Sequence, residues 1–160
     1  MVVEPGTRPD LQTLLPRILK GLRRLRDRRA ADVAAALDMP IRSFEHFESG
    51  KGRLNIERVH QVAEVLDADP HAILAALEMR SPAFALRCAD NKLMTILMMS
   101  LQDFDARAGD SIARLDPLTL IQAFTQLFDQ LAAHAEAQQA AASQWSGRRA
   151  AGEGSSAADS

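Results

Sequence analysis

Apolar residues recur at steps of three and four along most of this chain, and that spacing strongly limits what it can fold into. Between residues 13 and 28, the sequence TLLPRILKGLRRLRDR places Leu15, Ile18, Leu19, Leu22 and Leu25 on one face of a helix. The composition agrees, because 28 alanines and 20 leucines far outnumber the 13 valines and isoleucines. The sequence therefore predicts an all-α protein.

Several classes of protein are disfavoured by what the sequence lacks. No apolar run reaches the ~18 residues of a membrane-spanning helix, and the N-terminus has no signal-peptide pattern. The single cysteine, Cys88, excludes an internal disulfide and a zinc finger of paired cysteines, and we expect a buried thiol. The four histidines have no metal-ligand spacing, and no catalytic constellation is visible. We predict a cytoplasmic protein that is not an enzyme and has no metal or cofactor.

Caps and turn residues divide residues 10–79 into five short helices, preceded by a flexible N-terminus at 1–9. The predicted helices run from residue 10 or 13 to 28, and over 30–37, 41–48, 56–66 and 70–79. Pro40 can open the third helix because a first-turn residue needs no N–H group. Asn55 is a good N-cap for the fourth helix, and Asp69 for the fifth.

The pattern changes in residues 80–142, which predict two longer helices forming a C-terminal helical hairpin. One begins at Ser81-Pro82 and runs to about Ala106, and the other begins at Asp116-Pro117. Their apolar stripes are wider than one hairpin can cover, which favours pairing with a second subunit. The residues expected at this dimer interface are Leu93, Leu97, Leu101, Phe104, Ile121, Phe124, Phe128 and Leu131. Capping of the first domain is the alternative, and residues 143–160 have the composition of a disordered tail.

Basic residues concentrate in the first half of the chain. Residues 8–60 hold 12 Lys and Arg against 7 Asp and Glu, although the whole chain has 19 against 21. A basic cluster within residues 17–29 consists of Arg17, Lys20, Arg23, Arg24, Arg26, Arg28 and Arg29. Such a cluster attracts phosphate through charge and counterion release. The alternative is a solvated helix face on which arginine stems cover apolar surface.

The ordered series ADVAAALDMPIRSFEHFESGKGRLNIERVHQVAEVLDADPHAIL carries a family resemblance. It has an Ala/Leu second helix, a tight turn, Phe44 and Phe47 before Glu48-x-Gly50, a polar loop, and a closing Asp-Pro helix. This series resembles the helix-turn-helix domain of the lambda repressor, Cro and Xre family. It departs from the family at three positions. Ala30 stands where many members have Gln, Asp38 where they have Gly, and Pro40 where they have a Ser or Thr cap.

The resemblance implies a five-helix lambda-repressor-like domain whose third helix enters the major groove. The residues that it assigns to base reading are Ile41, Arg42, Ser43, Glu45 and His46. Those that it assigns to phosphate binding are Arg28, Arg29, Lys51, Arg53 and Asn55. Arg42 is the strongest candidate, because its planar fork can pair with O6 and N7 of guanine. The alternatives are an ion pair between Arg42 and Glu45, and a merely solvated loop over 50–55.

The predicted function is therefore that of a sequence-specific, double-stranded-DNA-binding transcription regulator of bacterial or phage type. We expect a homodimer associated with the nucleoid. One alternative is an antitoxin-like or RNA-polymerase-contacting protein that binds its partner through residues 80–142. Another is an interaction module that kept the fold and lost DNA binding, since Glu45 and Glu48 lie near the expected groove.

Overall fold

The computed structural model describes residues 11–153, and this part of the chain is built from helices without any strand. The predicted all-α class is thereby confirmed. The α-helices are α1 (Leu11–Leu25), α2 (Ala30–Ala36), α3 (Ile41–Glu48), α4 (Ile56–Val65), α5 (Pro70–Glu78), α6 (Pro82–Arg87), α7 (Leu93–Ala108) and α8 (Pro117–Glu153). A 3-10 helix over Gly109–Arg114 precedes α8. The chain divides into two compact units, with the boundary between Arg107 and Ala108.

The core of the first unit forms around α1. Ile18, Leu19 and Leu22 are fully buried on one face of this helix, as the apolar period requires. Helices α3, α5 and α6 all contact α1. Phe44 enters the same core from α3. The prediction fails at the end of the helix, because Leu25 is exposed and α1 ends there instead of continuing to residue 28.

Four helices of this unit end in the same left-handed turn without a glycine. In these four turns the residue with positive φ is Asp27, Asp38, Asp67 or Arg80, following α1, α2, α4 and α5 respectively. After α2, the N–H of Asp38 donates to the carbonyl of Ala35, and the N–H of Met39 donates to that of Ala34. These are the paired bonds of a Schellman motif, in which glycine is the usual left-handed residue. Asp38, with φ of 51°, thus adopts the conformation that a glycine would have at this turn.

Asp69 joins two helices in the interior. Its carboxylate is fully buried and accepts from the N–H groups of His71 and Ala72 at the start of α5. It also accepts from the N–H groups of Met94 and Thr95, and from the Thr95 hydroxyl, at the start of α7. One side chain therefore caps two helices that begin more than twenty residues apart. The sequence predicted only the first of these caps.

The helix predicted from Pro82 to about Ala106 is wrong, because α6 ends at Arg87 and α7 begins at Leu93. Lys92 has φ of 53°, and its ammonium donates to the carbonyl oxygens of Asp67 and Ala89. These bonds hold the break together with a local one, because Asn91 Oδ1 accepts from the N–H of Leu93 at the start of α7. Helix α6 packs on α1 and α5. The domain boundary predicted at residue 80 therefore lies inside the first unit.

The second unit also differs from expectation. Helix α8 continues through Glu153, so residues 143–153 are helical where a disordered tail was predicted. Alanine, glutamine and arginine favour helix in this segment and no proline interrupts it, although Gly147 and Gly152 disfavour it. The two helices of the predicted hairpin fall in different units, α7 in the first and α8 in the second. The predicted flexible N-terminus at 1–9 and the rest of the predicted tail at 154–160 lie outside the described residues.

Candidate nucleic-acid interface

Helix α3 has a buried side and an exposed side. Phe44 and Glu48 are buried, and Phe47 is half-buried. The exposed side carries all five residues predicted to read bases, namely Ile41, Arg42, Ser43, Glu45 and His46. Pro40 precedes the helix with φ of −59°, which suits the entry into a first turn. The suggested ion pair between Arg42 and Glu45 is absent from the part of the chain that the structure describes.

An ion pair fixes the far end of α3 to its neighbours. Arg23 Nε donates to Glu48 Oε2 at 2.8 Å, and Nη2 donates to Oε1 at 2.9 Å. Arg23 Nη1 also donates to the carbonyl oxygen of Arg28, just before α2. The hydrogen bond to Glu48 raises the pKa of Arg23, against the opposing effect of burial. A two-bonded guanidinium–carboxylate pair sets orientation as well as distance, so it constrains α3 relative to α1.

The basic cluster therefore has a partly internal role. Like Arg23, Arg26 binds other parts of the protein. Its Nε donates to the carbonyl oxygen of Leu66 at 2.8 Å, and its Nη2 to Asp90 Oδ1 at 2.7 Å. These two arginines hold helices together. The exposed members of the cluster are Arg17, Lys20, Arg24, Arg28 and Arg29, and they alone present their charge to a partner.

The start of α2 carries Arg28 and Arg29, both predicted to bind phosphate. The side chain of Arg29 is 86% exposed. Its backbone N–H donates to Asp32 Oδ2 at 2.9 Å, which closes the first turn of the helix. This N–H and the Arg29 side chain lower the pKa of Asp32. The negative charge in this first turn opposes phosphate there, so an approaching phosphate would rely on the arginine side chains.

The loop between α3 and α4 lies against the start of α1 and against α3. Gly50 has φ of 68°, and a Cβ at this position would lie 2.5 Å from the carbonyl oxygen of Leu11. A Cβ on Gly52 would lie 3.3 Å from Nε2 of His46 on the exposed side of α3. The predicted phosphate-binding residues Lys51 and Arg53 are exposed on this loop. Gly50 thus lets the loop approach α1, and Gly52 lets its cationic part lie close beside the polar side of α3.

Asn55 ends this loop and begins α4. Its Oδ1 accepts from the N–H of Arg58 at 3.0 Å, as the sequence predicts for an N-cap. The side-chain oxygen is therefore used within the protein, and the amide NH2 group is what Asn55 can offer to a phosphate.

A cleft of about 360 Å³ lies between α3 and this loop. It brings together predicted residues of both kinds, with Ser43 and His46 on one side and Arg53 and Asn55 on the other. Arg28 and Arg29 do not line this cleft. Arg58 also lines it and was missed by the sequence reasoning. Its guanidinium lies 3.6 Å from Met39 Sδ, and its position in the first turn after the Asn55 cap was the available signal.

The residues predicted for dimerisation are placed differently in the two units. In α7, Leu93, Leu97 and Phe104 are half-buried and Leu101 is exposed. In α8, Ile121, Phe124, Phe128 and Leu131 are all exposed.

Other chemistry is sparse in the described residues. No group of three His, Cys, Asp or Glu there could hold a metal ion, and none of its helices is long and apolar enough to cross a membrane. Cys88 is buried, as expected, and burial raises the pKa of its thiol. His60 and His71 meet edge to face, with ring centres 5.2 Å apart.

Comparisons of the chain with protein-family models, with curated proteins and with solved structures found no match.

Proposed function

We propose that this protein is a sequence-specific, double-stranded-DNA-binding transcription regulator of the lambda repressor, Cro and Xre type, of bacterial or phage origin. The observation that carries the proposal is the exposed side of α3. Its predicted base-reading residues are free of the core, while Phe44 and the Arg23–Glu48 pair hold its other side. The succession of α2, the left-handed turn at Asp38 and α3 supports the proposal of a helix-turn-helix unit.

The major groove of B-DNA, about 12 Å wide, admits an α-helix, and helix N-terminal side chains reach the base edges. Arg42 is exposed in the first turn of α3 and pairs with no carboxylate among the described residues. Its five N–H donors are therefore available for guanine O6 and N7. Glu45 and His46 lie one turn further along. Glu45 would accept from cytosine N4, and its charge would disfavour close approach of a phosphate at that point.

The loop beside α3 supplies the phosphate contacts. Arg53 and Lys51 are exposed, and Asn55 begins α4 next to them. The start of α4 favours an anion through the helix dipole, but Glu57 in its first turn opposes one, so the cationic side chains of the loop provide most of the attraction. Contacts of this kind fix the orientation of a protein on DNA without reading its sequence.

Selection of genomic fragments by the purified protein at about 0.15 M salt tests the proposal. A few strongly enriched sites support it, whereas weak, uniform retention that disappears with added salt contradicts sequence-specific binding. On an enriched site, Arg42→Ala should cost roughly 1–3 kcal/mol and relax preference at one base pair. Arg87→Ala is the matched control, because it removes the same charge from the exposed surface of α6. Equal losses for the two variants would move Arg42 out of the base-reading set.

A second candidate function rests on the exposed apolar residues of α8, among them Ile121 and Phe124. Helix α7, in the other unit, separately exposes Ile96 and Met99. Such surfaces mark protein-binding sites. An antitoxin-like or RNA-polymerase-contacting protein would bind its partner here, with DNA binding secondary or lost. Failure of the genomic selection, together with stoichiometric co-purification of a neighbouring gene product, would favour this candidate.

A further inference from the structure

Helix α8 has an apolar seam and no core of its own. It contains 37 residues, which corresponds to a length of about 55 Å. Between residues 117 and 149, only Leu120 is even half-buried. Six large apolar side chains are 39–62% exposed in its first half, namely Leu118, Ile121, Phe124, Leu127, Phe128 and Leu131. Long helices in water gain most of their stability from packing an apolar face, so this face requires a partner.

The seam has the spacing of a helix that pairs with another helix. Ile121, Phe124, Phe128 and Leu131 alternate at steps of three and four. The same alternation continues through Ala135, Gln138, Ala142 and Trp145, which the helix reaches because it does not end at residue 142. The seam therefore spans about four heptads, of which the first two carry all the large apolar residues except Trp145.

Charge along α8 permits two identical copies to face each other. Between residues 117 and 147, the charged residues are Asp129 and Glu136. Each follows a seam residue directly, at Phe128 and Ala135, and so points about 100° away from it. The positions flanking the first two heptads of the seam are Leu118, Leu120, Thr125, Leu127, Ala132 and His134. Between residues 117 and 147 a charged, hetero-specific partner has few groups to pair with, whereas a second copy meets no like charge in the seam. The next residue at the seam spacing is Arg149, which lies beyond this stretch.

The exposed area is sufficient for self-association. Six side chains at about half exposure offer on the order of 100 Å² each, so two copies would bury on the order of 1,000 Å². That area reaches the lower bound expected for a specific interface.

Only a parallel arrangement uses the whole seam. In an antiparallel pair that matches the seam end to end, Phe124 and Phe128 would lie opposite Ala142 and Gln138, so both phenylalanines would face small or polar side chains. Of the large residues in the first two heptads, only Ile121 would meet another large one, Trp145. In an antiparallel pair that overlaps only the apolar halves, residues 136–153 of each copy would have no partner. We propose that α8 binds α8 of a second copy of this chain as a parallel, in-register helix pair. This inference is independent of DNA binding, and its test contains no DNA.

The oligomeric state of the full chain is the first measurement. Light scattering at micromolar concentration should give a dimer for the wild type and a monomer for the double variant Phe124→Asp, Phe128→Asp. The control is the double variant Gln126→Asp, Ala133→Asp, which places the same two charges at exposed positions on the opposite side of the helix and should remain dimeric. A monomeric wild type, or a phenylalanine double variant that remains dimeric, would overturn the proposed interface.

Cysteine cross-linking tests the direction of the pair. Ala142→Cys places a thiol in the seam, where a parallel pair brings the two copies within disulfide distance. Ala140→Cys places it on the outer side two residues away, and the buried Cys88 is common to both variants. Mild oxidation should cross-link Ala142→Cys and leave Ala140→Cys monomeric on a denaturing gel. A dimer that fails to cross-link through residue 142 would refute the parallel arrangement.

Discussion

Replacement of Asp69 is the sharpest perturbation of the fold that the structure suggests. Asp69→Ala removes four hydrogen bonds from backbone N–H groups, two at the start of α5 and two at the start of α7, and one from the Thr95 hydroxyl. Loss of an N-cap side chain costs about 1 kcal/mol, and a hydroxyl hydrogen bond contributes about 1 kcal/mol. Two caps and one hydroxyl bond together predict a loss of about 3 kcal/mol in the free energy of unfolding.

Asp69→Asn should lie between the wild type and Asp69→Ala. An amide keeps one acceptor oxygen, which can cap one helix, but its NH2 group would face the N–H groups of the other. Asn55→Ala is the matched control, because Asn55 caps only α4 and is exposed. It should cost about 1 kcal/mol, the value for a single cap.

Urea unfolding followed through the methyl resonances of Ile18 and Ile73 measures these losses. Both residues are fully buried in the first unit, whereas the single tryptophan, Trp145, lies in α8 and reports on the second. The comparison is valid when the variants share one m-value. If Asp69→Ala cost no more than Asn55→Ala, the double cap would be refuted.

Three further predictions concern turns, acid stability and salt dependence. Asp38→Gly should raise the free energy of unfolding by about 0.5–1 kcal/mol, because the φ of Asp38 is positive. Gly50→Ala should lower it by more than about 1 kcal/mol, because the added Cβ would meet the backbone of Leu11. Urea unfolding of the two variants checks both signs. Lys92 lowers the pKa of Asp67 below its ordinary 3.8. The stability that this ion pair contributes is therefore present above pH 3.8 and is lost as the pH falls through the lowered pKa. Asp67→Asn should make acid unfolding curves flatter in this range. Arg53→Ala should weaken all DNA sites alike and reduce the salt slope by about one, and an unchanged slope would remove it from the phosphate contacts.

The ends of the short helices were predictable because prolines and capping side chains next to them determine where they begin. The predicted spans 41–48 and 70–79 correspond to Ile41–Glu48 and Pro70–Glu78. A proline without an N–H, or a side chain that caps the first turn, acts within three residues of itself. The polar side of α3 follows from the same reasoning, since Phe44 and the exposed residues alternate at helical spacing.

The roles of individual arginines were not predictable in this way. Arg23 and Arg26 look like their neighbours in the sequence, yet their partners Glu48 and Asp90 lie 25 and 64 residues away. No local signal separates an arginine that binds a distant carboxylate from one that faces water. The sequence pattern therefore indicates more surface arginines available to phosphate than the structure has.

The sequence by itself determined the all-α class, the caps that begin α4 and α5, and which side of α3 is polar, because each depends on interactions within a few residues. Tertiary structure decided where α6 and α7 separate, since Lys92 and Asp69 hold that break through atoms more than twenty residues away. It also decided that α6 packs into the first unit with α1 and α5. Which residues are buried depends on which helix faces pack together, and helices distant in the sequence pack together only in the folded protein.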